Sequence, residues 1–109
     1  MPKIIILSLG GSLIVPDKVD INFLITFKKT IEKYIKKDYK FVIYCGGGKL
    51  ARNLQQAASK IKKLSNKDLD WLGIYATKIN AFLLKAIFKD NAEDFIVDNP
   101  TKKIKFKKN

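Results

Sequence analysis

The amino-acid sequence predicts an α/β fold, a parallel sheet sandwiched between helices, of which the 109 residues supply only a portion. Three observations predict it. Strand-length apolar runs alternate with longer stretches of helical periodicity, each of the first two runs ends in a glycine cluster, and the strands are too few to complete a sheet.

Lys3–Leu9 is a continuous β-branched run of the kind buried on both faces of a parallel sheet. It ends at Gly10-Gly11-Ser12. Pro16-Asp17-Lys18 then breaks the chain, and either Asp20 or Asn22 can cap a helix whose apolar face is Leu24, Phe27, Ile31 and Tyr34 and which runs to about Lys37. Its other face carries Lys28, Lys29, Lys33 and Lys36. Phe41–Cys45 is the second strand, Gly46-Gly47-Gly48 the second turn, and Leu50, Leu54, Ala57, Ile61 and Leu64 stripe a second helix. Ser65 followed by Asp68 has the spacing of a capping box, opening a third helix striped by Leu69, Leu72, Ala76, Ile79, Leu83 and Ile87 and ending near Lys89-Asp90-Asn91. Phe95–Val97 reads as a short strand before a turn at Asp98-Asn99-Pro100-Thr101. Lys102, Lys103, Lys105, Lys107 and Lys108 close the chain, either as a basic tail or as an edge strand that has lost its neighbours. The expected division is therefore a domain portion over residues 1–95 and a Lys-rich segment over 96–109. Strands joined through helices imply crossovers that place ligands at the carboxyl ends of the strands, where both glycine turns lie. So short a sheet leaves an exposed edge, and a covering partner is expected.

Composition narrows the partners less than the glycines do. A formal net charge of +12, from 22 Lys and Arg against 10 Asp and Glu, favours an anionic ligand, although solvated lysine faces give the same excess. Only Arg52 is arginine. The single Cys45 permits no intrachain disulfide and suits a buried thiol in a reducing compartment, so a cytoplasmic protein is expected. Without histidine or a cysteine pair no transition-metal site is expected; a metal would be Mg²⁺ held mainly by phosphate oxygens. The apolar start is broken by Gly10-Gly11-Ser12 and lacks a small-residue cleavage site, so no secretory leader is expected, and no stretch has the apolar length of a membrane span.

Glycine turns that open helices are suited to phosphate. A helix N-terminus leaves N–H groups unpaired and carries partial positive charge, and glycine lets an anion approach the backbone with no Cβ in the way. Two such turns suggest two phosphate-bearing ligands and transfer between them. Neither turn is a common nucleotide fingerprint, because no G-x-G-x-x-G is present and Ile43 and Leu50 occupy the positions where a P-loop needs Gly and Ser or Thr. Lys49 and Arg52, three residues apart, share a helix face one turn from the glycines, and the Arg52 guanidinium can grip phosphate oxygens bidentately as lysine cannot. Asp70 reads two ways, as a carboxylate favoured by the helix dipole or as an acceptor for paired ribose hydroxyls.

Together, Leu9-Gly-Gly-Ser-Leu-Ile-Val-Pro16, Cys45-Gly-Gly-Gly-Lys-Leu-Ala-Arg52 and Asp70-Trp-Leu-Gly-Ile-Tyr-Ala-Thr-Lys-Ile-Asn-Ala81 resemble the amino acid kinase superfamily, most closely its archaeal UMP kinase branch, over roughly residues 3–90. The resemblance implies the N-terminal half of that family's αβα sandwich, and ATP-dependent phosphorylation of UMP to UDP by an oligomer. It implies ATP contacts at Gly10, Gly11, Ser12, Gly48 and Arg52, UMP contacts at Gly47 and Asp70, and Mg²⁺ arriving with ATP; the phosphate contact expected at Lys49 rests instead on the helix face it shares with Arg52. No residue is assigned a catalytic role. Ser8 stands where many members of the superfamily carry a lysine, a departure that fits the archaeal branch. The expected partners are ATP, UMP, and either further copies of the chain or a missing C-terminal half; neither nucleic acid nor membrane is expected. Two alternatives keep the same fold: a non-catalytic kinase half serving assembly, and a sister kinase with another phosphate or carboxylate acceptor. A small basic nucleic-acid binder is the alternative of a different class.

Overall fold

Two parallel strands in register set the frame: Lys3 lies opposite Tyr39 and Leu9 opposite Cys45, so the strands begin and end together. The computed structural model describes residues 2–92. Its elements run β1 (Lys3–Leu9), α1 (Gly11–Ile14), α2 (Ile21–Ile35), β2 (Tyr39–Cys45), α3 (Gly48–Ile61), α4 (Asn66–Phe88) and a closing 3-10 turn (Lys89–Asn91). The strand expected at Phe95, the turn after it and the Lys-rich end, and so the whole segment assigned over 96–109, lie outside the described residues.

Local chemistry explains the boundaries. Gly10-Gly11-Ser12 begins a single helical turn, α1, that stops at Val15 ahead of Pro16. Asp20 caps α2, its carboxylate accepting from the Phe23 N–H at 3.0 Å. That settles the choice between Asp20 and Asn22. The helix ends through Asp38, which takes the left-handed conformation (φ 68°) and donates its N–H to the Ile35 carbonyl. Ser65 and Asp68 form the full capping box at the start of α4.

Helices α2 and α4 close over one face of the sheet. Leu9, Ile14, Leu24 and Leu84 form the buried cluster, with Phe27, Ile43, Cys45, Leu83 and Ile87 packed against it. Phe27 meets Phe88 edge-on at 6.1 Å, joining the two helices directly. The opposite face is open among the described residues: Ile4 and Ile6 are 57% and 66% exposed, and Tyr44 is also exposed. Burial of both strand faces, expected from the unbroken apolar run, therefore does not occur within residues 2–92. The reason is geometric. Helix α3 packs on α4 and α1, leaving no element over the Ile4–Ile6 face.

The same packing moves the helix stripes. No residue of α3 is buried, and Ile61, one of its expected core positions, is 88% exposed. Small residues shape the contact instead: Gly47, at the start of α3, lies against the Gly73 carbonyl and Thr77 hydroxyl of α4, and Gly73 lies against Gln55 of α3. On α4 the buried row is Ala76, Asn80, Leu84 and Phe88, one position along from the expected Ile79, Leu83 and Ile87.

Candidate functional site

Because the strands end in register, their two glycine turns meet. The Gly46 N–H donates to the Leu9 carbonyl at 3.3 Å, continuing the ladder into the second turn. Gly48 then adopts φ +54°, where a side chain is strained, and a Cβ there would lie 2.5 Å from the Ser12 nitrogen and 2.6 Å from the Gly11 carbonyl carbon. A Cβ on Gly11 would strike the Gly46 carbonyl oxygen and stand 2.7 Å from the Gly48 nitrogen. Glycine at these two positions is what lets the turns touch. Gly10 is different: its backbone is extended (φ −61°, ψ 139°) and a Cβ would find nothing within 4 Å. Neither conformation nor crowding requires glycine there, and the space in front of it is open.

The contact brings the starts of α1 and α3 side by side. Among the described residues no group accepts from the backbone N–H of Gly11, Ser12, Gly47, Gly48 or Lys49. These are the unpaired donors of two helix starts, and their partial positive charges add at one place. Arg52, one turn into α3, reaches across and donates from Nη2 to the Ser12 hydroxyl at 3.3 Å. Both glycine turns and the single arginine thus form one continuous cluster. Lys49 is turned elsewhere, pairing with Asp17 at 3.3 Å across a shallow depression of about 330 Å³ that Pro16, Leu50 and Arg52 also line. Since the two side chains are 51% and 89% exposed, solvent screening leaves this pair weak.

Asp70 is exposed, and its carboxylate makes no hydrogen bond or ion pair among the described residues, but its place on α4 is informative. Asp70, Gly73, Thr77 and Asn80 follow helical spacing along one side of α4. That side faces the second turn: a Cβ on Gly47 would lie 3.3 Å from both the Gly73 carbonyl oxygen and the Thr77 hydroxyl. Asp70 stands about 10 Å nearer the start of the helix than Thr77. Gln55 fastens α3 to the same region by donating to the Leu69 carbonyl at 2.8 Å.

The residue that sequence reasoning missed is Asn80. It is 1% exposed, and its Nδ2 donates to the carbonyl oxygens of Gly46 at 2.9 Å and Gly47 at 3.5 Å. The available signal was a polar side chain inside an apolar row of an amphipathic helix, where burial requires a hydrogen-bond partner. Cys45, directly before the turn, makes no site: burial pushes its thiol up to about 11 from 9.0, away from a reactive thiolate. Among the described residues no three or more His, Cys, Asp or Glu side chains gather where they could hold a metal ion. No helix among them is long and apolar enough to cross a membrane.

The model of the amino acid kinase family matches residues 3–98. A uridylate kinase of Thermococcus kodakarensis is 36% identical over 95 residues, which are 87% of this chain and 41% of the relative. A uridylate kinase of Pyrococcus abyssi is 37% identical over 94 residues, 85% of this chain and 40% of the relative. The crystal structure of uridylate kinase from Archaeoglobus fulgidus superposes with a TM-score of 0.71 at 34% identity, covering 88% of this chain and 42% of that one. The chain thus spans about two fifths of the length of the relatives it matches.

Proposed function

The chain belongs to the amino acid kinase family, and from that premise we propose that it is the N-terminal portion of a kinase that transfers the γ-phosphoryl group of ATP to UMP, giving UDP and ADP. Its relatives are uridylate kinases, which is what suggests UMP as the acceptor. One observation carries the reading: Gly48 lies against Gly11 and Ser12, so the two turns sit side by side with Arg52 joining them through the Ser12 hydroxyl.

The chemistry asks little else of this half. An oxygen of the UMP phosphate, already an anion, attacks the γ-phosphorus as the bond to the β–γ bridging oxygen breaks and ADP leaves. No protein base is needed, and positioning with charge neutralisation supplies the catalysis. Gly10, Gly11, Ser12 and Gly48 hold the ATP phosphates through their amides, and Arg52 grips them with its guanidinium. Gly47 holds the UMP phosphate, and Asp70 accepts from the ribose hydroxyls further along the same side of α4. Lys49 is free to leave its exposed partner Asp17 for a phosphate. Mg²⁺ would arrive as part of the MgATP substrate and would offset phosphate charge during transfer.

A C-terminal portion completes the site in this scheme. The open sheet face bearing Ile4, Ile6 and Tyr44 offers it an apolar surface, and the same exposed face favours the second reading, a non-catalytic half that works only in assembly. The experiment is UDP formation from MgATP and UMP by the 109-residue chain alone and with the C-terminal portion of an archaeal uridylate kinase added in trans. UDP in either mixture, absent when Arg52 is replaced, supports the kinase. A stable complex without UDP supports the assembly role, and turnover only with a different phosphate or carboxylate acceptor supports a sister kinase.

A further inference from the structure

Asn80 is the one buried polar residue among those described, set in the Ala76, Leu84 and Phe88 row where leucine would extend the apolar packing. We infer that Asn80 is a positioning residue that sets the direction in which the Gly46–Gly48 turn presents its amides, an inference that rests on the reading of that turn as a phosphate site.

The geometry follows from the planar trans peptide, in which the C=O of one residue and the N–H of the next point to opposite sides. Asn80 draws the Gly46 carbonyl toward α4, so the N–H of Gly47 points away from α4. The longer contact to the Gly47 carbonyl acts in the same sense on the N–H of Gly48, and the Ala51 N–H donating to that carbonyl at 3.2 Å holds it from the other end. Those two amides are among the donors without a protein acceptor. Three consecutive glycines otherwise leave the peptide planes free to rotate, because no Cβ restricts them. Asn80 therefore supplies the restraint that the glycines lack. Only a donor serves: leucine leaves the Gly46 carbonyl unpaired, and an ionised aspartate sets a second acceptor against it.

Asn80 touches no ligand in this arrangement and acts only through the turn. Its test uses Asn80→Leu and Asn80→Asp in the 109-residue chain, with amide spectra of Gly47 and Gly48 recorded without ligand, with UMP and with uridine. Far-UV circular dichroism identifies which variants fold. The expected result is that the folded variants shift both glycine amides in the unliganded protein, and that UMP binds at least tenfold more weakly while uridine, which lacks the phosphate, binds as in the unsubstituted chain. A purely structural role would weaken UMP and uridine alike, and that result overturns the inference. Unshifted glycine amides in a folded variant overturn it as well. If neither variant folds, Asn80→Ala, which removes the donor without adding bulk or charge, is measured against the same two criteria. Failure of UMP to bind the unsubstituted chain instead counts against the phosphate reading, while the unliganded spectra still decide whether Asn80 orients the turn.

Discussion

The Arg52 guanidinium lies 3.3 Å from the Ser12 hydroxyl, joining residues forty positions apart in the sequence at the point where the two glycine turns touch. A planar, permanently charged group is thereby held beside two helix starts. Replacing Arg52 with lysine keeps the charge and removes the fork. Because Arg52 is exposed, melting should change by less than about 0.5 kcal/mol. Affinity for MgATP, read by titration calorimetry, should fall by about tenfold or more, the range of a lost charge-assisted pair.

The two glycines of the first turn should respond oppositely to alanine. Gly11→Ala places a Cβ against the Gly46 carbonyl and the Gly48 nitrogen, and should cost about 1–3 kcal/mol in urea denaturation, the usual range for overpacking. Gly10→Ala meets no protein atom and should leave the denaturation midpoint in place. Its Cβ enters the space assigned to ATP phosphates, so MgATP binding should weaken in a fully folded protein.

Asp70→Asn tests the proposed ribose contact. The side chain is exposed and unpaired among the described residues, so the melting temperature should hold. UMP affinity should fall several-fold and MgATP affinity should not, and the preference for UMP over its 2′-deoxy counterpart should shrink.

Cys45 supplies a pH dependence. Burial raises its thiol from 9.0 to about 11, so between those values the unfolded chain releases a proton that the folded chain retains. Folding stability from this group is whole below pH 9 and declines as pH rises toward 11. Urea midpoints of the chain and of Cys45→Ala, compared at pH 8 and pH 10.5, should show the steeper alkaline loss in the chain that keeps the thiol. Alkylation of Cys45 at pH 8 should be slow for the same reason.

Much of this arrangement was legible because its signals are local. Ser65 and Asp68 announce their capping box within four residues, Asp20 caps by the same short-range chemistry, and glycines after apolar runs mark the turns. What the sequence hid depends on contacts between elements. The stripe of Leu50, Leu54 and Ile61 is amphipathic by spacing, yet α3 and α4 approach each other at Gly47 and Gly73, whose small size permits it. Ile4 and Ile6 look like core residues and are exposed here because nothing within residues 2–92 covers them. Asn80 was hidden for a related reason: its partners are carbonyls 34 and 33 residues away, which no helical period reveals.

The central claim is that the two turns hold donor and acceptor phosphates at the same time. It is tested most directly by following the amides of Gly10 to Ser12 and Gly46 to Gly48 during titration with a non-hydrolysable MgATP analogue and with UMP, singly and together. The account predicts that the analogue shifts Gly10, Gly11, Ser12 and Gly48, that UMP shifts Gly47, and that both sets of shifts coexist at saturation. Mutual displacement of the two nucleotides, or saturation of either that leaves both turns unmoved, would contradict it.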